Sequence, residues 1–126
     1  MKNSKPAIGS RWSLPEIMAG GTNFMTMIGD YEADASTPFQ REMSLHFYRL
    51  PAGTPDVQRP HKEDELYYVL SGSRTLRISA DGKTVNVPLT AGDIVYVPAL
   101  AEHEFTGEGE ISLLVFFAPN YSGHPV

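Results

Sequence analysis

Cysteine is absent from the 126 residues of this chain, and tryptophan occurs once. Without thiols the chain forms no disulfide, has no cysteine nucleophile, and must hold any metal ion through nitrogen and oxygen ligands. Long hydrophobic runs are absent as well, since the longest, residues 113–119, is far too short to cross a bilayer. Residues 1–20 contain no continuous apolar stretch of the kind that a signal peptide requires. We therefore predict a cytoplasmic location and no association with a membrane.

Positive charge is also scarce in this sequence. Ten lysines and arginines stand against fifteen aspartates and glutamates, the formal net charge is −5, and the basic residues form no run. A nucleic-acid surface needs a basic patch, so we predict no nucleic-acid partner. The length and the 41% hydrophobic fraction are those of one globular domain with one core.

Short alternating segments separated by turn residues predict an all-β chain. Ten prolines and eleven glycines supply the turns. Leu76 and Ile78 alternate with polar residues, and Asp81-Gly82 is a hairpin signal after which the alternation resumes. Further strands are predicted at residues 24–28, 43–48, 65–70, 94–97, 102–106 and 111–117. Strands of this number and spacing are typical of a sandwich or a barrel.

Two boundaries in this reading depend on particular residues. A short helix is predicted to begin at Ser13, a capping residue, and to end at Gly20-Gly21. The apolar strand over residues 65–70 is predicted to stop at Ser71-Gly72, because glycine breaks a regular strand.

One pattern of polar residues predicts a metal site. His61 and Glu65 are four residues apart, and in an extended segment an even separation returns side chains to the same face. A third ligand from another strand is available in His103. Two imidazoles and a carboxylate leave coordination positions open for substrate, oxygen or water. The alternative is that all three are solvated surface groups near strand ends.

Two stretches of the sequence resemble the two motifs of the cupin family. The first motif is a glycine, five residues, His-X-His, three or four residues, a glutamate, six residues and a glycine. The matching stretch contains Gly53, Arg59-Pro60-His61, Glu65 and Gly72. The second motif is a glycine, five residues, Pro-X-Gly, two residues, a histidine, three residues and an asparagine. The matching stretch contains Gly92, Pro98-Ala99-Leu100, His103 and Gly107.

This resemblance implies an architecture and a ligand set. The fold would be a cupin double-stranded β-helix, a jelly-roll barrel formed as a single domain by residues 43–119. Residues 1–42 would form an N-terminal arm with a short helix and an edge strand, and residues 120–126 a C-terminal tail. By position in the motifs, His61, Glu65 and His103 would bind one divalent metal ion, such as iron, manganese, nickel or zinc.

The resemblance also implies a range of functions. Many single-domain cupins are oxygenases, isomerases or epimerases, so the chain is predicted to be a metal-binding cupin that acts on or binds a small organic molecule. A dioxygenase is favoured because two histidines and a carboxylate suit iron(II). The alternatives are a non-catalytic ligand-binding cupin, a cupin isomerase or epimerase, and a metal-free scaffold. Cupins commonly pair through sheet edges, so a homodimer is also predicted.

The sequence departs from the motifs at three positions. Arg59 replaces the first histidine, Leu100 the motif glycine, and Gly107 the asparagine. The last two are interpreted as changes in loop shape. Arg59 removes one ligand, and three interpretations stay open. It binds an anionic substrate group, it turns outward to solvent or pairs with Glu63 or Asp64 on the surface, or it pairs with Glu65 in place of a metal.

Two aromatic residues complete the predicted pocket. Tyr67 has the parity of Glu65, and Phe105 that of His103, so both are predicted to contact substrate together with Arg59. A core tyrosine with one hydrogen bond is the alternative for Tyr67. Glu63 is interpreted as a solvated charge and as the reserve ligand if the parity of the strand fails.

Overall fold

The computed structural model describes residues 11, 13–20, 24–29 and 44–118. Within these residues it contains one helix and seven strands, which confirms the all-β prediction. They are α1 (Leu14–Gly20), β1 (Phe24–Gly29), β2 (Ser44–Leu50), β3 (Asp64–Ala80), β4 (Lys83–Thr90), β5 (Ile94–Val97), β6 (Glu102–Thr106) and β7 (Ile111–Ala118). No helix in this part of the chain has the length and apolar character needed to span a membrane. The predicted tail lies outside the described residues, as does the predicted arm apart from residues 11, 13–20 and 24–29.

The helix forms where its cap predicts and covers one face of the sheet. The hydroxyl of Ser13 accepts a hydrogen bond from the backbone N–H of Glu16 at 3.3 Å, which satisfies one of the free donors of the first turn. Ile17 is buried and packs in a cluster with Leu45, Phe47 and Leu114 on β2 and β7. The helix therefore closes the outer face of these two strands.

Strand β3 connects the two halves of the β-structure. Its first half pairs with β7 on one side and with β5 on the other, and its second half pairs with β4 and β6, all antiparallel. Strand β2 joins the other edge of β7, and β1 joins β2. One 17-residue strand therefore belongs to both layers that enclose the core.

The predicted end of the strand at Ser71-Gly72 is wrong. Strand β3 continues through Gly72, whose φ is 79°, and the pairing with β7 shifts register between Val69 and Ser71. The glycine marks the place where the strand bends from one layer into the other, because only glycine adopts this conformation without strain. Ser71-Gly72 does interrupt the regular geometry of the strand, but the hydrogen-bonded pairing with β7 continues across it.

The side chains along β3 show where the core lies. Tyr67 and Val69 are buried in the first half, and Leu76 and Ile78 in the second. The buried set changes from odd to even numbers across the register shift, because an irregularity of one residue exchanges the two faces of a strand. Both halves thus direct their apolar side chains into one interior, where Phe105 of β6 and residues of β7 meet them.

Candidate metal centre

Three predicted ligands converge inside this interior. His61 lies in the loop before β3, Glu65 near the beginning of β3, and His103 on β6, and all three are buried. The Oε1 atom of Glu65 lies 2.9 Å from Nε2 of His61 and 3.1 Å from Nε2 of His103. One ligand atom from each residue lies within 4.8 Å of the others. Adjacent ligands that are each about 2.1 Å from one ion are about 3 Å apart, so this spacing suits a single ion.

The hydrogen bonds behind the two imidazoles orient them for metal binding. Nδ1 of His61 lies 3.0 Å from the carbonyl oxygen of Glu63, and Nδ1 of His103 lies 3.0 Å from that of Ala101. A carbonyl oxygen only accepts, so each Nδ1 must carry a proton and donate it. Each Nε2 is then the atom available to a metal, and it is directed at Glu65.

Unpaired polar atoms at the centre provide a test of fit. Among the described residues, Nε2 of His103 and Oε2 of Glu65 have no hydrogen-bond partner. The approach of His103 to Oε1 of Glu65 has the distance of an ion pair but not the angle of a hydrogen bond. Buried polar atoms without partners are costly, and a divalent cation accepts electron pairs from both of these atoms. The three residues therefore fit a divalent metal ion.

The charges at the centre shift the pKa values of two ligands. Burial raises the pKa of Glu65, but its contacts with His103 and His61 lower it more, so the net pKa lies below 4.5. Burial lowers the pKa of His61, but the hydrogen bond and the charge of Glu65 outweigh burial, so the net pKa lies above 6.5. Between these two shifted pKa values the pair in the ion-free protein is a carboxylate beside an imidazolium.

This pair makes the stability of the ion-free protein depend on pH. The Glu65 contribution is present above the unfolded-chain value of 4.5 and is lost as pH falls through its lowered folded pKa. The His61 contribution is present below the unfolded-chain value of 6.5 and is lost as pH rises through its raised folded pKa. We expect the unfolding free energy of wild type minus that of Glu65→Gln to be largest between pH 4.5 and 6.5. Urea titrations of chelator-treated protein from pH 3 to 9 measure this difference, and a flat difference contradicts the pairing.

Three hydrogen bonds bring the loop before β3 against the segment that carries His103. The carboxylate of Asp56 accepts from the backbone N–H of Phe105 at 2.7 Å. The carbonyl oxygen of His61 accepts from Leu100 N–H at 2.7 Å, and Asp64 accepts from Ala99 N–H, also at 2.7 Å. These bonds cross between the two motif regions, so they fix the distance between the two imidazoles.

Leu100, which stands where the motif has a glycine, adopts a backbone conformation that favours glycine. Its φ is 69°, in the left-handed region that L residues rarely adopt. The hydrogen bond from its N–H to the carbonyl oxygen of His61 holds the turn in this shape. A non-glycine residue in this conformation carries local strain, and whether the loop differs in shape from one with the motif glycine stays a prediction.

Asp56 is a buried anchor that sequence reasoning missed. Besides the N–H of Phe105, its carboxylate accepts from the hydroxyl of Tyr48 at 2.5 Å and from Nε2 of Gln58 at 2.6 Å. It lies in an irregular loop where periodicity carries no information, so no local signal distinguishes it from the exposed residues beside it.

Removing this anchor is expected to destabilise the fold. Asp56→Ala leaves the hydroxyl of Tyr48 and the N–H of Phe105 buried without an acceptor, at a cost of about 3 kcal/mol. Asp93→Ala is the control, because Asp93 accepts one N–H, from Thr90 in an exposed turn, and should cost about 1 kcal/mol or less. Urea unfolding measures both variants. If the two variants lose the same free energy of unfolding, Asp56 stabilises no more of the fold than the exposed Asp93 does.

The three predicted substrate contacts lie in two different places. Tyr67 and Phe105 are buried in the interior with their ring centroids 5.3 Å apart, and the Tyr67 hydroxyl donates to Oε1 of Gln58 at 3.2 Å. Burial, and then the charge of Glu65, raise the pKa of Tyr67 well above its usual value, so it is a neutral phenol. Arg59 is exposed, between Gln58 and Pro60.

The exposure of Arg59 separates its three interpretations. Glu65 is 1% exposed and its carboxylate contacts the two imidazoles, so the alternative in which Arg59 replaces a metal as its partner does not describe the structure. The interpretation in which Arg59 turns outward agrees with its exposure. Pro60 and Gln58 line a groove of about 540 Å³ to which His103 also contributes, so contact between Arg59 and a substrate anion stays a prediction.

The prediction that Glu63 is a solvated charge is wrong. It is fully buried, and its Oε1 lies 3.5 Å from Nδ1 of His61. The parity argument that placed His61 and Glu65 on one face applies equally to residue 63, so the signal was present in the sequence. The prediction failed because it followed the general tendency of adjacent acidic residues to be exposed instead of the parity of the segment.

The comparison with known families agrees with this geometry. The sequence model described as "Cupin domain" matches residues 46–117, which is more than half of the chain. The chain belongs to the cupin family. The match contains all three converging residues, and the predicted jelly-roll fold of the double-stranded β-helix type is confirmed for this cupin.

Individual relatives extend this result. This cupin is 40% identical over 81 residues to the uncharacterized protein SCO3923 of Streptomyces coelicolor, covering 64% of this chain and 73% of that protein. It is 33% identical over 73 residues to an acireductone dioxygenase of Bacillus cereus, covering 57% of this chain but only 38% of that enzyme. Its structure is similar to that of protein BH2720 of Bacillus halodurans, with a TM-score of 0.68 and 13% identity over 94% of this chain and 86% of that one. At this identity the structural similarity concerns the fold alone.

Proposed function

We propose that this cupin binds one divalent metal ion through His61, Glu65 and His103 and acts on or binds a small organic molecule there. The observation that carries the proposal is the convergence of three buried ligand atoms within 4.8 Å, two of them on residues with unpaired buried atoms. Two nitrogen ligands and one oxygen ligand suit iron, manganese, nickel or zinc. They occupy one side of an ion and leave positions for other molecules.

The reaction class that we propose is dioxygenation. Two observations support it. The first is the 33% sequence identity, over 73 residues, with an acireductone dioxygenase of Bacillus cereus, and the second is that two histidines and a carboxylate suit iron(II). When bound, the ion would supply Lewis-acid and oxygen-activating chemistry. The role of the protein is to hold the three ligands in place through the hydrogen bonds behind them and to exclude water from the interior.

Two aromatic residues are proposed to bind the organic molecule. The hydroxyl of Tyr67 remains protonated at neutral pH and donates a hydrogen bond, now to Gln58 and, with substrate present, to a substrate oxygen. Phe105 contacts Tyr67 and forms an apolar wall beside it. We expect Tyr67→Phe to weaken substrate binding without loss of metal, because Tyr67 is not among the ligands.

The second candidate is a non-catalytic cupin that binds a small ligand. The observation that favours it is Arg59, which replaces the first motif histidine and is exposed, so this cupin has one ligand fewer than the motif provides. A cupin isomerase or epimerase is the third candidate, and its chemistry would use the same ion as a Lewis acid.

Metal analysis followed by an oxygen assay tests these proposals. Protein purified without chelator is analysed for bound iron, manganese, nickel and zinc, and about one ion per chain is expected. The iron(II)-loaded protein is then tested for oxygen consumption with small acids, diketones and phenols. Absence of metal after exposure to all four ions refutes the proposal. Metal binding without oxygen uptake or conversion of any compound refutes the dioxygenase and favours pure binding.

The homodimer and the cytoplasmic location remain predictions. Light scattering at micromolar concentration measures the mass in solution, and a monomeric mass contradicts the dimer. Fractionation of cells expressing the chain tests the location.

A further inference from the structure

Glu63 is the buried charged residue that the proposed metal site does not yet explain. It is fully buried, and neither of its carboxylate oxygens has a hydrogen-bond partner among the described residues. No lysine or arginine of the described chain pairs with it, and its nearest charged partner is His61. An unpaired buried carboxylate is strongly unfavourable, and a positive charge held close to it would stabilise it.

Glu63 lies beside one of the proposed metal ligands, His61. Its Oε1 lies 3.5 Å from Nδ1 of His61, while Nε2 of the same ring faces Glu65 at 2.9 Å. The two carboxylates therefore lie at opposite nitrogens of one imidazole. The backbone of Glu63 contributes as well, because its carbonyl oxygen accepts the Nδ1 proton at 3.0 Å.

We propose that Glu63 is a positioning residue whose buried charge polarises the imidazole of His61 for metal binding. This inference rests on the proposed metal site and adds a residue that is not a ligand. The Nδ1 proton is donated to the backbone carbonyl, so the carboxylate 3.5 Å away acts on the ring through its charge. It stabilises that proton and increases the basicity of Nε2, which strengthens the bond of Nε2 to a metal. Glu63 is outside the proposed ligand set, because the ligand atoms that lie within 4.8 Å of one another among the described residues belong to His61, Glu65 and His103.

The charge balance of the site supports the same role. A divalent ion on two neutral imidazoles and the Glu65 carboxylate would leave a net charge of +1 in a buried region. The Glu63 carboxylate cancels that charge without occupying a coordination position. The residue that is unfavourable in the ion-free protein thus becomes favourable once an ion is bound, because buried charges are stable when they are compensated.

His103 provides an internal comparison. Its Nδ1 donates to the carbonyl oxygen of Ala101 at 3.0 Å, as Nδ1 of His61 does to that of Glu63, but among the described residues the carboxylate paired with His103 is that of Glu65, on the Nε2 side of the ring. A perturbation of Glu63 should therefore change the properties of His61 and leave those of His103 unchanged.

The experiment compares wild type, Glu63→Gln and Glu108→Gln. Glutamine keeps the size of the side chain and removes its charge, and Glu108 is an exposed glutamate in the turn before β7, so it controls for net charge. Zinc affinity is measured by chelator competition. We expect the dissociation constant of Glu63→Gln to rise about 10–100-fold and that of Glu108→Gln to stay at the wild-type value. In urea, ion-free Glu63→Gln should be at least as stable as wild type.

A spectroscopic measurement separates positioning from packing. In zinc-loaded protein labelled with 15N, the Nδ1 resonance of His61 should shift in Glu63→Gln, while that of His103 should not. Glu63→Asp, which retains a carboxylate at shorter reach, should bind zinc more tightly than Glu63→Gln and keeps the test valid if the glutamine variant does not fold.

Each result decides between the two claims. If wild type binds no zinc or other divalent ion, the proposed function falls and this inference falls with it. If wild type binds and Glu63→Gln binds equally well, the inference alone is overturned. It is also overturned if Glu63→Gln lowers the stability of the ion-free protein, or if both histidine resonances move together, because Glu63 then acts through packing.

Discussion

Replacing Glu65 by alanine is expected to abolish metal binding while leaving the barrel folded. Glu65 is the one carboxylate among the three converging residues, and its Oε1 contacts both imidazoles. Without it, an ion would meet two neutral rings and no compensating charge. Loss of a residue that hydrogen-bonds to a ligand typically lowers metal affinity about 10–100-fold. Loss of a charged ligand itself should therefore lower the affinity more than 100-fold. Equilibrium dialysis against zinc or iron(II) measures the loss, and circular dichroism reports the fold.

The companion variants make this result specific. His103→Ala should lose metal in the same way, because it removes a ligand from a different strand. Glu108→Gln should retain wild-type affinity, since it removes one negative charge from an exposed turn. If Glu65→Ala still binds one ion per chain with the affinity of the wild type, the metal centre does not consist of these three residues.

Replacing Gly72 by alanine is expected to cause the largest loss of stability. A Cβ atom at this position would lie 1.8 Å from the carbonyl oxygen of Glu110, which is backbone and has no freedom to rotate away. The φ of 79° adds the strain that L residues have in the left-handed region. Together the clash and the strain should cost about 3 kcal/mol or more, and urea unfolding of the purified variant measures the loss.

Gly82→Ala separates the two terms of this expectation. Gly82 has a similar φ of 74° in the turn between β3 and β4, but a Cβ there would meet no atom within 4 Å. It should therefore show only the backbone strain, about 1 kcal/mol. If Gly72→Ala lowers the free energy of unfolding no more than Gly82→Ala, then β3 does not approach Glu110, the residue before β7, as closely as the structure describes.

The convergence of the candidate metal ligands was predictable because their spacing carries the information. His61 and Glu65 share parity, and the motif spacings around them and around His103 match a family whose barrel is known to bring such residues together. The same parity rule placed Tyr67 inward correctly. The inward position of Tyr67 follows from the two-residue period of β3, whereas His61 lies in the loop before β3, so its approach to Glu65 was predictable from the motif spacing.

Asp56 and Glu63 show where this reasoning stops. Asp56 is buried because the N–H of Phe105, 49 residues later in the chain, lies against it. Glu63 is buried although it stands in a run of charged residues that reads as exposed. Burial in loops depends on what packs over them, which local sequence does not encode. Such residues are recognised only when distant segments are seen together.

The sequence alone determined the all-β class, the family, the helix boundaries and the identity of the candidate ligands. It determined them because turn residues, alternation and motif spacing are local properties of the chain. The tertiary structure decided that β3 continues through Gly72, that Arg59 is exposed, and that the two imidazoles meet one carboxylate oxygen. These features arise from pairing between segments far apart in sequence, and their energies depend on distances that exist only once the barrel has closed.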